Sequence, residues 1–184
     1  MKKFSHILAI AALSISTAAL TVTSFAASAI QEQPLPIQQT IRHDMPNYVI
    51  TDNSSYAVSK ALIVNGKKLD IQPLQLNGCL LVPARAVSGD ALGFTTTWDA
   101  KEHAVTITGP SMKTTQYLGE DFSNAVTIIP CATGMTAPTS FGAPPVLVNN
   151  TAYVPAEIFQ IIQGNNPDTL VITDTTIEIN ARPN

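Results

Sequence analysis

Apolar residues in this chain come in short runs broken by pairs of turn-forming residues. "KALIVNGKKLDI" (Lys60–Ile71) is two such runs joined by Asn65-Gly66, the dipeptide that favours a type I′ hairpin because both positions tolerate positive φ. "LQLNGCLLVP" (Leu74–Pro83) repeats the device with Asn77-Gly78, and "VLVNNTAYVP" (Val146–Pro155) with Asn149-Asn150. Asparagine is the side-chain-bearing residue that best accepts that backbone region. Three hairpin turns predict an antiparallel sheet.

After each Val-Pro the period changes. Proline cannot donate to a ladder and suits the first turn of a helix, so Pro83 and Pro155 end strands and open helices. Ala84, Val87, Ala91 and Leu92 follow at helical spacing in one place, and Ile158, Ile161 and Ile162 in the other. Gly93 and Gly164 stop them. Ser88-Gly89-Asp90 weakens the first helix. "FTTTWD" and "AVTIT" then flank a turn at Ala100–His103, and "TLVIT" and "TIEIN" flank Asp174-Thr175.

Val82-Pro83-Ala84 and Val154-Pro155-Ala156 lie 154 − 82 = 72 positions apart. The expected fold class is therefore α+β: antiparallel sheet hairpins with two short helices, built from two degenerate strand-strand-helix-strand-strand repeats spanning 60–181. Between the copies, strands are expected near Lys113–Leu118 and Ala125–Ile129. A long Gly-, Pro- and Thr-rich loop, "CATGMTAPTSFGAPP", follows them.

The N-terminal region reads differently. Lys2 and Lys3, an apolar stretch from Ile7 to Ala26, and Ala27-Ser28-Ala29 follow the order of a secretory signal. Residues 1–29 are expected to be removed after Ala29, with Ala26 as the second choice, leaving a secreted or cell-surface protein without a membrane span. The rival reading is an uncleaved anchor. Residues 30–59 are polar and proline-dotted (Pro34, Pro36, Pro46), a spacer with one short strand at Tyr48–Thr51.

Charge narrows the function classes. With 10 Lys and Arg against 13 Asp and Glu, the chain offers no electrostatic case for nucleic acid or anionic lipid. Cys79 and Cys131 both follow the signal, where a disulfide is permitted, but neither has a counterpart in the other copy. His43 and His103 are too few and too far apart for a copper site, and no cofactor is expected. No G-x-S-x-G, S-x-x-K or H-E-x-x-H pattern occurs, so nothing assembles a nucleophile with its base.

Some residues remain as candidates for recognition. Arg85 could hold a ligand carboxylate through two parallel hydrogen bonds, or it could pair with an acidic neighbour or cap backbone carbonyls. Trp98 could stack on a sugar, but directly after the helix and Gly93 it is expected to pack as core, as are Tyr153 and Phe159. Tyr117, Phe122 and Phe141, in the less regular middle, are the expected exposed aromatics.

At this point the residues resemble a known family. Val64-Asn65-Gly66-Lys67, Asn77-Gly78, Val82-Pro83, Arg85, Leu92-Gly93, Trp98-Asp99 and Val105–Ile107 follow the pattern of the copper amine oxidase-like N-terminal domain, or stalk domain, of exported bacterial proteins. The second copy is degenerate: Val154-Pro155 and Gly164 match, but Glu157 stands where arginine would and no Trp-Asp follows. The resemblance implies no oxidase activity, because that chemistry belongs to a separate domain with a tyrosine-derived cofactor and three histidines. Here Asn47-Tyr48-Val49 lacks the acidic third residue. The resemblance implies a non-catalytic cell-envelope module that binds wall polymer or another exported protein. The alternative is a secreted regulator that inserts the Cys131–Pro145 loop into an exported enzyme. The sequence leaves the oligomeric state open.

Overall fold

A computed structural model describes residues 47–182. The signal-like segment and most of the spacer lie outside the described residues. The first strands are β1 (Val49–Ile50), β2 (Ala61–Val64), β3 (Lys67–Leu69), β4 (Leu74–Leu76) and β5 (Cys79–Pro83). A single α-turn, α1 (Ala84–Ala86), runs into a π-helical turn at Val87–Ala91. Then come β6 (Thr95–Asp99), β7 (Ala104–Thr108), β8 (Met112–Tyr117), β9 (Val126–Thr127), β10 (Val146–Val148) and β11 (Thr151–Pro155). After α2 (Ile158–Ile161) and a 3-10 turn at Pro167–Thr169, β12 (Leu170–Ile172) and β13 (Thr176–Ile179) close the described chain.

These strands form three sheets, ordered β1-β10-β11-β5-β4, β12-β13-β2-β3 and β6-β7-β8-β9. The asparagine turns have the backbone their sequence asks for. Asn65 and Gly66 have φ of 49° and 75°, Asn77 and Gly78 49° and 87°, Asn149 and Asn150 46° and 65°. Positive φ at both central positions is what a type I′ turn requires. Asn65 does a second job through its side chain. Its Nδ2 donates to Ala91 O at 2.6 Å and its Oδ1 accepts from Ala181 N at 2.7 Å, tying the turn to the π-helical segment and to the C-terminal end.

The two like-worded stretches meet at the centre of the first sheet. β5 and β11 pair antiparallel with Val82 opposite Val154, Pro83 opposite Tyr153 and Leu81 opposite Pro155, a register symmetric about the two valines. β5 is buried along its whole length because apolar groups cover both faces of the sheet. Leu80 and Val82 face the larger core with Leu62, Ile107, Phe159, Ile162 and Ile177. Cys79 and Leu81 face a smaller one with Ile50, Leu74, Val146 and Tyr153. A strand covered on both sides reads as a continuous apolar run, as this one does.

Three expectations need correction. The sheets are not wholly antiparallel: β1 pairs parallel with β10, and β2 with β13. Those partners lie far along the chain, and no local turn signal encodes such pairings. The segment after Pro83 is one α-turn and a π-helical turn, because Ser88-Gly89-Asp90 holds an α-helix poorly. The end of the expected spacer is part of the fold: beyond β1, Ala57 bridges to Leu74 and Gln75 N donates to Tyr56 O at 2.7 Å.

The middle segment is laced down by side chains. Buried Asp121 accepts from Ser140 Oγ at 2.6 Å, Phe141 N at 2.9 Å and Gly142 N at 2.8 Å. Buried Gln116 donates to Thr114 Oγ1 and accepts from Ser123 Oγ, each at 2.8 Å. Ala143, Pro144 and Pro145 are buried, so the loop after Cys131 protrudes only over its first part. Cys79 is buried, Cys131 is exposed, and both thiols are free. Among the described residues no helix is long and apolar enough to cross a membrane.

Candidate functional site

Pairing of β5 with β11 brings three distant pieces of chain together. Arg85 is the second residue of α1, just after β5 ends at Pro83, and the β10–β11 turn stands beside it. β6 supplies the third wall. Thr96 and Trp98, two residues apart, share a face of that strand, and Trp98 lies opposite Val105 on β7. The result is a cleft of about 260 Å³. Ala84, Val105, Leu147 and Ala152 give it apolar walls; Arg85, Thr96, Asn150, Thr151 and the Trp98 indole complete it.

The hydrogen-bonding side chains of this cleft are unused. Thr96 Oγ1 is out of solvent and has no partner. Arg85 is exposed, and none of the side chains of Arg85, Asn150, Thr151 or Trp98 makes a hydrogen bond or ion pair among the described residues. Among the described residues no acidic one lines the cleft, and the guanidinium is the single formal charge there. Among the described residues, therefore, Arg85 neither pairs with an acidic neighbour nor caps carbonyls.

Trp98 also departs from expectation. It is 40% exposed, where Tyr153 is 6% and Phe159 fully buried. The reason lies in its neighbours: β6 is the edge strand of its sheet and the helix meant to cover it is a single α-turn.

The remaining candidates do not join Arg85. Tyr117, at the end of β8, is 40% exposed, Phe122 is half-buried, and neither lines this cleft. Phe141 is half-buried against both cores and lines a second cleft of about 380 Å³ with Glu157, Gln160, Thr136 and Thr139. Polar groups there are largely satisfied. Thr136 Oγ1 accepts from Ala125 N, Thr139 Oγ1 donates to Ala137 O, and Gln160 Nε2 donates to Asn165 Oδ1.

Glu157 occupies, in the second copy, the position of Arg85 in the first. Its Oε2 lies 4.0 Å from Cys79 Sγ. Burial raises the Glu157 carboxyl above its ordinary value. Burial, with the carboxylates of Glu157 and Asp121 adding to it, pushes the Cys79 thiol up to about 12, so this sulfur is no nucleophile at neutral pH. A carboxyl raised on folding favours the protonated native state. Its penalty is absent below the ordinary glutamate range and grows as pH rises through the raised value. Glu157→Gln is therefore expected to raise Tm by a few degrees at pH 7 and to leave it unchanged near pH ~3.5, below that range. Thermal melts at both pH values check this; an equal gain at both would contradict it.

Among the described residues no group of three or more His, Cys, Asp or Glu side chains could hold a metal ion. His103 instead shares a 2.7 Å hydrogen bond with Tyr48 OH through Nδ1. Thr96, Asn150 and Thr151 carry no motif in the sequence. Only the pairing of β5 with β11, not readable from local pattern, could have pointed to the last two.

One family model, described as the copper amine oxidase N-terminal domain, matches residues 63–166, more than half of the 184-residue chain. No curated protein and no solved structure matches the chain.

Proposed function

Because the chain belongs to the copper amine oxidase N-terminal domain family, a non-catalytic module of those enzymes, we propose that it is a binding module of the cell envelope, holding a wall saccharide polymer in the Arg85–Trp98 cleft. One observation carries this reading: a half-exposed indole beside an unpaired guanidinium, an unpartnered hydroxyl and a free amide. Thr96 Oγ1 is a buried hydroxyl without a partner, where such groups normally find one, and the exposed side chains of Arg85, Trp98 and Asn150 beside it have no protein partner to give up on meeting a ligand. A sugar ring has an apolar C–H face for the indole and a rim of hydroxyls for the polar groups. Its size suits a cleft of about 260 Å³. The signal-like N-terminus would deliver the chain to the compartment where such polymers lie.

The loop-insertion alternative has less to support it. Asp121 ties residues 140–142 back to the body, so that loop lacks the free length an inserted inhibitor needs.

Cosedimentation of the purified full-length chain with insoluble wall polymer tests the proposal. Wild type is expected to pellet with the polymer, and Trp98→Ala to stay in the supernatant while keeping the wild-type Tm. Absence of wild-type pelleting on every wall preparation, or pelleting unchanged by Trp98→Ala, would overturn it.

A further inference from the structure

We infer that the cleft selects a saccharide unit bearing a carboxylate, which Arg85 holds while Trp98 stacks on the ring; this rests on the saccharide reading above and narrows it. The argument is one of charge. Among the described residues Arg85 is the cleft's single charged one, no acidic side chain lines it, and the guanidinium has no partner. In a chain where Asp and Glu outnumber Lys and Arg by 13 to 10, an arginine left unpaired beside an aromatic wall awaits an anion.

Geometry favours a carboxylate on a ring. The guanidinium is a planar fork whose two parallel N–H groups match the two oxygens of a carboxylate. Arg85 and Trp98 line the same cleft from different elements, α1 and β6, so one small ligand touches both. A neutral sugar would use the indole and the Asn150 amide, but it would leave the guanidinium without an anion. The second cleft provides an internal contrast. It carries Glu157 at the position equivalent to Arg85, and its hydroxyls and amides are already bonded to protein.

The chain contains one tryptophan, so a single indole N–H resonance reports directly from the cleft. The full-length protein is titrated with glucuronate, galacturonate and N-acetylmuramate, each against its own methyl ester, which keeps the ring and removes the charge. At least one acid is expected to shift the indole resonance with an affinity about tenfold above that of its ester, and the ratio is expected to shrink as salt rises. Arg85→Gln should bring acid and ester to the same affinity while keeping the wild-type Tm.

Each other outcome counts against the inference. Equal binding of acid and ester by the wild type would overturn carboxylate selection while leaving the saccharide reading in place. An acid preference that survives Arg85→Gln would remove Arg85 from the role. If glycerol phosphate binds more tightly than every acid sugar, the anion is a phosphate and the inference fails. If no acid shifts the indole, it fails alone where wild-type chain still pellets with wall polymer, and together with the saccharide reading where it does not.

Discussion

Alanine at Phe159 is expected to destabilise the protein by about 3–5 kcal/mol, the range for deleting a large aromatic from a packed interior. Phe159 is fully buried in the larger core, among Leu62, Val82, Val154, Ile158 and Ile177. It sits in α2, which has four residues and neither a side-chain cap nor an acidic first turn. A helix that short has almost no stability of its own, so burial of Ile158, Phe159 and Ile161 holds it in place. Removing the ring leaves a cavity between α2 and the sheets that the surrounding strands can only partly fill. Urea titration followed by far-UV circular dichroism gives the number. Trp98→Ala serves as the comparison and is expected to change stability by no more than about 0.5 kcal/mol, since that indole is 40% exposed. Equal losses for the two variants would mean that Trp98 is a core residue after all.

The second large effect is expected at Asp121. Its carboxylate accepts three hydrogen bonds, from one hydroxyl and two backbone amides, and it is 1% exposed. Asp121→Ala strips the partner from all three at once. Leaving a buried donor unsatisfied costs about 1–3 kcal/mol, so a loss of roughly 3–5 kcal/mol is expected if residues 140–142 stay in place. Should they detach instead, the global loss will be smaller and the segment will open to protease. Limited proteolysis between Cys131 and Phe141, faster in Asp121→Ala than in wild type, separates those responses. Asp121→Asn keeps one acceptor oxygen and is expected to fall between the two. Wild-type stability with wild-type resistance in Asp121→Ala would show that the loop is held by other contacts.

These two residues differ in how visible they were. Phe159 sits in the helical apolar pattern after Val154-Pro155, and its burial follows from that pattern. Asp121 is an ordinary acidic residue in an irregular stretch, and nothing near it in sequence marks it as the anchor of residues some twenty positions on. Gln116 is similar: a lone amide in a threonine-rich strand, buried because Thr114 and Ser123 satisfy it.

What the sequence determined by itself is the local grammar. Asn-Gly and Asn-Asn made turns because few other residues accept positive φ at low cost. Proline closed β5 and β11, and glycine ended the helical segments, Gly93 at φ 72° and Gly164 at φ 81°. Each of those instructions acts over a few residues, so each is readable in a few residues. Which strands lie side by side is decided over the whole chain. The parallel pairs of β1 with β10 and β2 with β13, and the meeting of β5 with β11, depend on which apolar faces can be covered together. Only that assembly put Arg85, Thr96, Trp98 and Asn150 around one cleft, and only it left Trp98 at a sheet edge rather than in the core. A side chain's environment is set by its neighbours in space, and here Asn150 and Thr151 of the β10–β11 turn lie more than fifty positions from Arg85 and Trp98.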